Sequence, residues 1–260
     1  MEGPESTIAA ENATVPPTSL MSRLTNIFVS PSEVFDEVKT SPPVPANWIV
    51  PLSISMVVGI IFTMVVFSQP AVIQHMKDAQ EKAMQQKVTD GSMTQQQADQ
   101  ALEVTQKYMT PSFMKVFGIL GSIVASAFGL FLLASVLWLI GRFVLGGRFS
   151  YMKAVEVTGL AMMIGALGSI VTMCTVVIYG DMSMTPGPIL LVGHVDAGNK
   201  VHALLSALNV MSIWNLAVLS IGAARLSGTG ILKPVICIFG FWYGVWSFFA
   251  LALPMILGKK

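Results

Sequence analysis

Long apolar runs separated by short polar breaks fill most of this chain. A helix crossing about 30 Å of hydrocarbon needs ~20 predominantly apolar residues. Five segments meet that length: 48–68, 113–145, 154–179, 204–224 and 234–257. The second is long enough to tilt or to project beyond the bilayer. An odd number of spans places the two ends on opposite sides. Residues 71–109 are polar but periodic, with Val72, Met76, Ala79 and Ala83, then Ala98, Ala101, Leu102 and Thr105. "TDGSMT" (89–94) between them is a turn signal, and Thr94 with Gln97 is a capping box. The pattern predicts a helical hairpin outside the bilayer.

Ahead of the first span, Leu20, Leu24, Ile27 and Phe28 recur at helical spacing. Ser30 and Glu33 read as a capping box, with Pro31 at the first helical position. Val34, Phe35 and Val38 give this second helix an apolar side, and Asp36, Glu37 and Lys39 are expected to face water. "SPPVP" (41–45) stops it, because proline lacks the N–H and clashes with the preceding turn. Trp48 suits the headgroup boundary. Two readings stand for this entry segment: an interfacial element that docks on lipid or a partner, or a lid packed under the bundle. The predicted fold is therefore all-α, a polytopic bundle of five transmembrane helices. Residues 1–18 read as a disordered tail, 19–47 as amphipathic interfacial helices, and 48–257 as the membrane domain carrying the hairpin at 71–109.

Composition supports that class. Hydrophobic residues make up 53% of the chain and charged residues 11%, against roughly 25% charge in soluble domains. The net charge of +1 gives no reason to expect nucleic acid. Residues 1–18 lack the basic start and apolar core of a secretory signal. Short-loop arginines set the orientation. With the N-terminus inside, Arg23, Arg142, Arg148 and Arg225 all lie on the cytoplasmic side, and the C-terminus lies outside. The two cysteines, Cys174 and Cys237, then differ in depth by roughly 20 Å, too far for a disulfide.

The fourth apolar run holds Asn209, Ser212, Trp214 and Asn215. Asn209 and Asn215 point about 120° apart on one helix, with Ser212 between them. The resulting polar wedge reads either as glue between helices or as the lining of a solute path. Small residues recur at four-residue spacing in three runs: Gly118, Ser122 and Ser126; Ala161, Gly165 and Ser169; Gly240 and Gly244. They let helix backbones approach closely. Glu156 is the one carboxylate within the predicted spans. It reads either as a proton carrier or as a helix N-terminal acid paired with Lys153 or Arg148.

"NIFVSPSEVFDEV" and "PANWIVPL" together resemble the entry segment of the YIP family, the Yip-one domain membrane proteins, in its bacterial form. Phe28, Pro31 and Phe35, then Trp48 and Pro51, carry the likeness. "GGRFSYMKAVEVTG" (146–159) and "LLSALNVMSIWNLAVLSIGAARL" (204–226) resemble the approaches to the third and fourth spans. The resemblance covers roughly residues 20–257. It implies five spans and a cytoplasmic N-terminus; for eukaryotic relatives it implies a membrane-organising or adaptor role, and for bacterial members little biochemical detail. The acidic-Leu-Tyr-Gly-Pro motif of eukaryotic relatives is absent, so contact with a GTPase does not carry over.

No Ser-Lys, Ser-His, HExxH or phosphate-loop arrangement appears, so no catalysis and no cofactor are expected. His75, His194 and His202, with Asp196, all fall outside in this topology, but their spacing fits no standard zinc site. Two functions remain. The first is a scaffold or adaptor in the bacterial plasma membrane, working through lipid, other membrane proteins or a second copy of itself. Its surface would comprise Leu24, Phe28, Phe35, Trp48, Arg142, Arg148 and Arg225. The second is a small transporter or channel using the wedge of Asn209, Ser212 and Asn215.

Overall fold

The computed structural model describes residues 18–108, 110–193, 195 and 199–249. Helices account for every regular element among them. Four are long and apolar enough to cross a membrane: α3 (Ala46–Val66), α6 (Pro111–Leu139, running on as a π-turn to Val144), α7 (Tyr151–Tyr179) and α9 (Val210–Ser227). α10 (Leu232–Ser247) covers the start of the fifth predicted span, and residues 250–257 of that span lie outside the described residues. The 1–17 part of the predicted tail lies outside them too.

α3 and α7 run parallel. Asn47 meets Glu156 at one end, and Val66 meets Val176 at the other. α6 returns antiparallel to α3, so Gly59 faces Ser122 and Gly118 faces Thr63. α9 returns antiparallel to α7, with Met211 against Gly168 and Val157 against Gly222. Small residues carry these contacts because a Cβ has no room. At Gly222 it would lie 2.3 Å from Val157 Cγ1, and at Gly159 it would lie 2.5 Å from Trp48 Cα. Pro51 sits inside α3 and brings no N–H. The Asn47 carbonyl four residues earlier therefore lacks its helical donor, and Gly159 backs against that oxygen.

The entry segment forms α1 (Leu20–Asn26) and α2 (Pro31–Thr40). The predicted Ser30–Glu33 capping box does not form. The Ser30 backbone N–H instead closes α1 by donating to the Asn26 carbonyl, and the Ser30 carbonyl accepts from Glu33 and Val34. At the opposite end of the bundle α4 (Pro70–Thr89) and α5 (Gln95–Tyr108) form a hairpin. There the Thr94 N–H donates to Gln97 Oε1 at 3.0 Å, and the Gln97 N–H donates to Thr94 Oγ1 at 3.3 Å.

The fourth apolar run is not one helix. α8 (Lys200–Ala207) ends before Leu208, and α9 starts afresh at Val210. Asn209 makes the break. Its Oδ1 accepts from the Met211 and Ser212 N–H groups, which satisfies two donors that the first turn of a helix cannot pair internally. The Val210 N–H goes to the Pro186 carbonyl. Gly187 packs on the Leu208 carbonyl, where a Cβ would lie 2.5 Å from that oxygen.

Candidate functional site: a buried polar network beneath the entry helices

Five polar side chains meet where α1 and α2 join the starts of α3 and α7. Glu156 is fully buried, as is Asn47. Asn47 Nδ2 donates to Glu156 Oε2 at 2.6 Å, and the Val44 backbone N–H donates to the same oxygen at 3.1 Å. Lys153 Nζ lies 3.0 Å from the other oxygen, Oε1, as an ion pair one helical turn away. On the far side of Asn47, its Oδ1 accepts from Arg23 Nη1 at 3.2 Å. Arg23 Nη2 pairs with Glu37 Oε1 at 2.5 Å. The chain Lys153–Glu156–Asn47–Arg23–Glu37 thus ties four helices together.

Asn47 suits its central position because an amide both donates and accepts. It gives hydrogens to the carboxylate of Glu156 and takes one from the guanidinium of Arg23. Buried charges persist when they are paired and hydrogen-bonded. Burial works to raise the Glu37 carboxyl, but the hydrogen bond from Arg23, bonds from Thr18 and the guanidinium charge outweigh it. They hold this carboxyl below the ordinary carboxylate range. Glu37 is therefore only partly exposed, not the fully solvated residue its helix pattern predicts.

The residues expected on a docking surface separate into two groups. Leu24 and Phe35 are buried, so they present no free face. Phe35 fills the groove at Gly222, 3.3 Å from where a Cβ would stand. Phe28 packs edge-on against Trp214 at 6.0 Å between ring centroids, and Trp48 against Phe131 at 5.8 Å. The apolar side of the entry helices is thus consumed by the bundle. Arg142, Arg148 and Arg225 stay exposed at that end. Arg142 lies 5.9 Å from the Trp138 ring centroid, and Arg225 pairs with Asp36 at 3.3 Å on the surface.

The wedge on the fourth run divides its labour. Asn215 Nδ2 donates to the Ala161 carbonyl of α7 at 2.9 Å, a bond between helices. Asn209 spends its oxygen on capping α9 and does not bridge helices through it. Both amides and Ser212 line a partly open cleft of about 610 Å³ walled by α3, α6, α7, α9 and Trp242 of α10. On the opposite end, His75 Nδ1 lies 3.6 Å from Asp181 Oδ1. Among the described residues no cluster of three metal-ligating side chains occurs; His194 and Asp196 lie outside those residues. Cys174 and Cys237 are both free thiols.

A model of one protein family, described as Yip1 domain, matches residues 25–257. No curated protein and no solved structure matches the chain.

Proposed function

Because the chain belongs to the Yip1 domain family and is an integral membrane protein, we propose that it is a non-enzymatic scaffold of the bacterial plasma membrane. Its N-terminus is cytoplasmic and its C-terminus, after a fifth span, is outside. The observation that carries this reading is the buried network that fixes α1 and α2 to the bundle. A fixed platform holds exposed Arg142, Arg148 and Arg225 at set positions, as recognition by another membrane protein, a second copy or an anionic lipid surface requires. The test is crosslinking and copurification of the full chain against an Arg142→Glu/Arg148→Glu variant. Both substitutions are exposed and leave the network intact. Loss of a specific crosslinked partner supports the platform; an unchanged partner set overturns it.

A second reading, a small transporter or channel, is favoured by one observation. The helix break at Leu208–Asn209 opens onto the cleft, and interrupted helices of this kind form transporter sites. Flux of a defined solute into liposomes, lost in Asn209→Leu with folding intact, supports that reading.

A further inference from the structure

We propose that the cleft is a binding site for a small uncharged polyol, held by polar atoms that the fold leaves open and unpaired. Ser126 comes from α6, Thr172 from α7, and Asn209, Ser212 and Asn215 from α9 and its cap; all of them line the cleft. The hydroxyls of Ser126, Thr172 and Ser212 make no hydrogen bond among the described residues, and they keep accessible surface. Asn209 uses Oδ1 on the first turn of α9, which leaves Nδ2 as an open donor. Asn215 uses Nδ2 on the Ala161 carbonyl, which leaves Oδ1 as an open acceptor. Groups left in this state take a partner from outside the fold.

The other hydroxyls of the wall differ. Thr63, Ser122 and Ser169 each donate to a carbonyl of their own helix, at 2.9, 2.9 and 3.1 Å. The Ser55 and Thr158 oxygens are buried away from the open space. The open groups stand together. Met211 packs on Gly168, and Gly165 faces the Asn215 amide, so Thr172, one turn past Gly168, lies toward Asn209. Asn209, Ser212 and Asn215 rise about 9 Å along the axis in two equal steps. They form a polar track from the helix break at the hairpin end toward the middle of the bundle, where Asn215 bonds across to α7.

Chemistry and size select the class. No charged side chain lines the cleft, so a charged ligand would be buried without a counter-ion. A hydrocarbon chain would leave every open group of the track unsatisfied, which disfavours an acyl chain. The track offers hydroxyls, an amide donor and an amide acceptor. A ligand hydroxyl both donates and accepts, so a row of hydroxyls matches each of them. Leu133, Met162 and Trp242 supply apolar wall for the carbon skeleton. The cleft volume of about 610 Å³ falls within the range of about 300–1,000 Å³ usual for small-molecule sites. The inference deepens the transporter reading by naming its solute, and rests on that reading only for passage across the membrane; binding stands without it.

The experiment uses the full chain in lipid nanodiscs, with sorbitol as the probe and saturation-transfer NMR as the readout. The wild type is expected to give a saturable signal that glycerol displaces and that gluconate, the same carbon chain ending in a carboxylate, does not. Ser126→Ala, Thr172→Val and Ser212→Ala each remove one open hydroxyl and should weaken sorbitol binding about fivefold, the effect of one ordinary hydrogen bond. Ser169→Ala, whose hydroxyl is already bonded within its helix, should leave binding unchanged. Circular dichroism and a monodisperse elution profile check that each variant is folded. A wild type without saturable sorbitol signal leaves the cleft to water or lipid and overturns the proposal. Equal affinities across all four variants, or displacement by gluconate as effective as by glycerol, overturn it as well. Sorbitol entry into liposomes is scored separately. Binding without entry keeps the site and refutes the transporter reading; entry that persists unchanged when all three open hydroxyls are removed keeps that reading and refutes the site.

Discussion

Replacing Glu156 by Gln isolates what the buried ion pair contributes. The substitution keeps an oxygen for the Asn47 amide and the Val44 N–H, which lie 2.6 and 3.1 Å from Oε2. It removes the charge that faces Lys153 at 3.0 Å. Lys153 is 9% exposed and Glu156 not at all, so solvent screens the pair little. Stranding one partner of such a pair costs about 3–5 kcal/mol. Lys153 stands in the first turn of α7 and keeps slight exposure, which favours the lower figure, about 3 kcal/mol. Lys153→Met strands the carboxylate in the same way and costs a similar ~3 kcal/mol. The double variant removes both charges together and is expected to cost little more than either single change, a coupling energy of about 3 kcal/mol. Reversible unfolding by SDS in mixed micelles, followed by circular dichroism, measures all four corners of the cycle. Additive costs, with a coupling below about 0.5 kcal/mol, would refute the claim that these charges stabilise the bundle as a pair.

Three further outcomes are expected. The lowered Glu37 carboxyl stabilises the docked entry helices above the ordinary carboxylate range, and that contribution is lost as pH falls through its folded value. Hydrogen exchange in α1 and α2, corrected for intrinsic rates, should speed up in acid relative to neutral pH, and Glu37→Gln should flatten the dependence. Gly159→Ala sets a Cβ 2.5 Å from Trp48 Cα and 2.9 Å from the Asn47 carbonyl, backbone atoms that cannot rotate away. It should cost about 3 kcal/mol in the same SDS titration, whereas Gly121→Ala, with nothing within 4 Å, should be neutral or slightly stabilising. Asn209→Ala removes the α9 cap and should cost about 1 kcal/mol, largely recovered by Asn209→Asp; an equal loss in both variants would separate Asn209 from capping.

The apolar pattern revealed the spans because twenty oily residues in a row have few other uses, and α3, α6 and α7 start and end within a few residues of the expected limits. The break in the fourth run was hidden for the same reason. "SALNVMSIW" is apolar enough to read straight through, and only Asn209 followed by the free N–H groups of a new turn marks a helix start. The Lys153–Glu156 contact was visible, being three residues apart. The rest of the network was not. Arg23 stands on a helix recognised by its apolar side, and Asn47 finds its carboxylate 109 residues later. No local spacing encodes such a meeting. Phe35 was seen as half of an amphipathic pattern, but whether lipid, a partner or α9 covers that face is decided by Gly222, far along the chain.

That same 109-residue separation imposes an order on biogenesis. At about 5–20 residues per second of translation, Asn47 emerges some 5–20 seconds before Glu156. Throughout that interval the newborn first span carries an amide that still awaits its acid, beside an arginine whose partner Glu37 has already been made. Final seating of the first span and its entry helices is thus deferred until the third has threaded the bilayer.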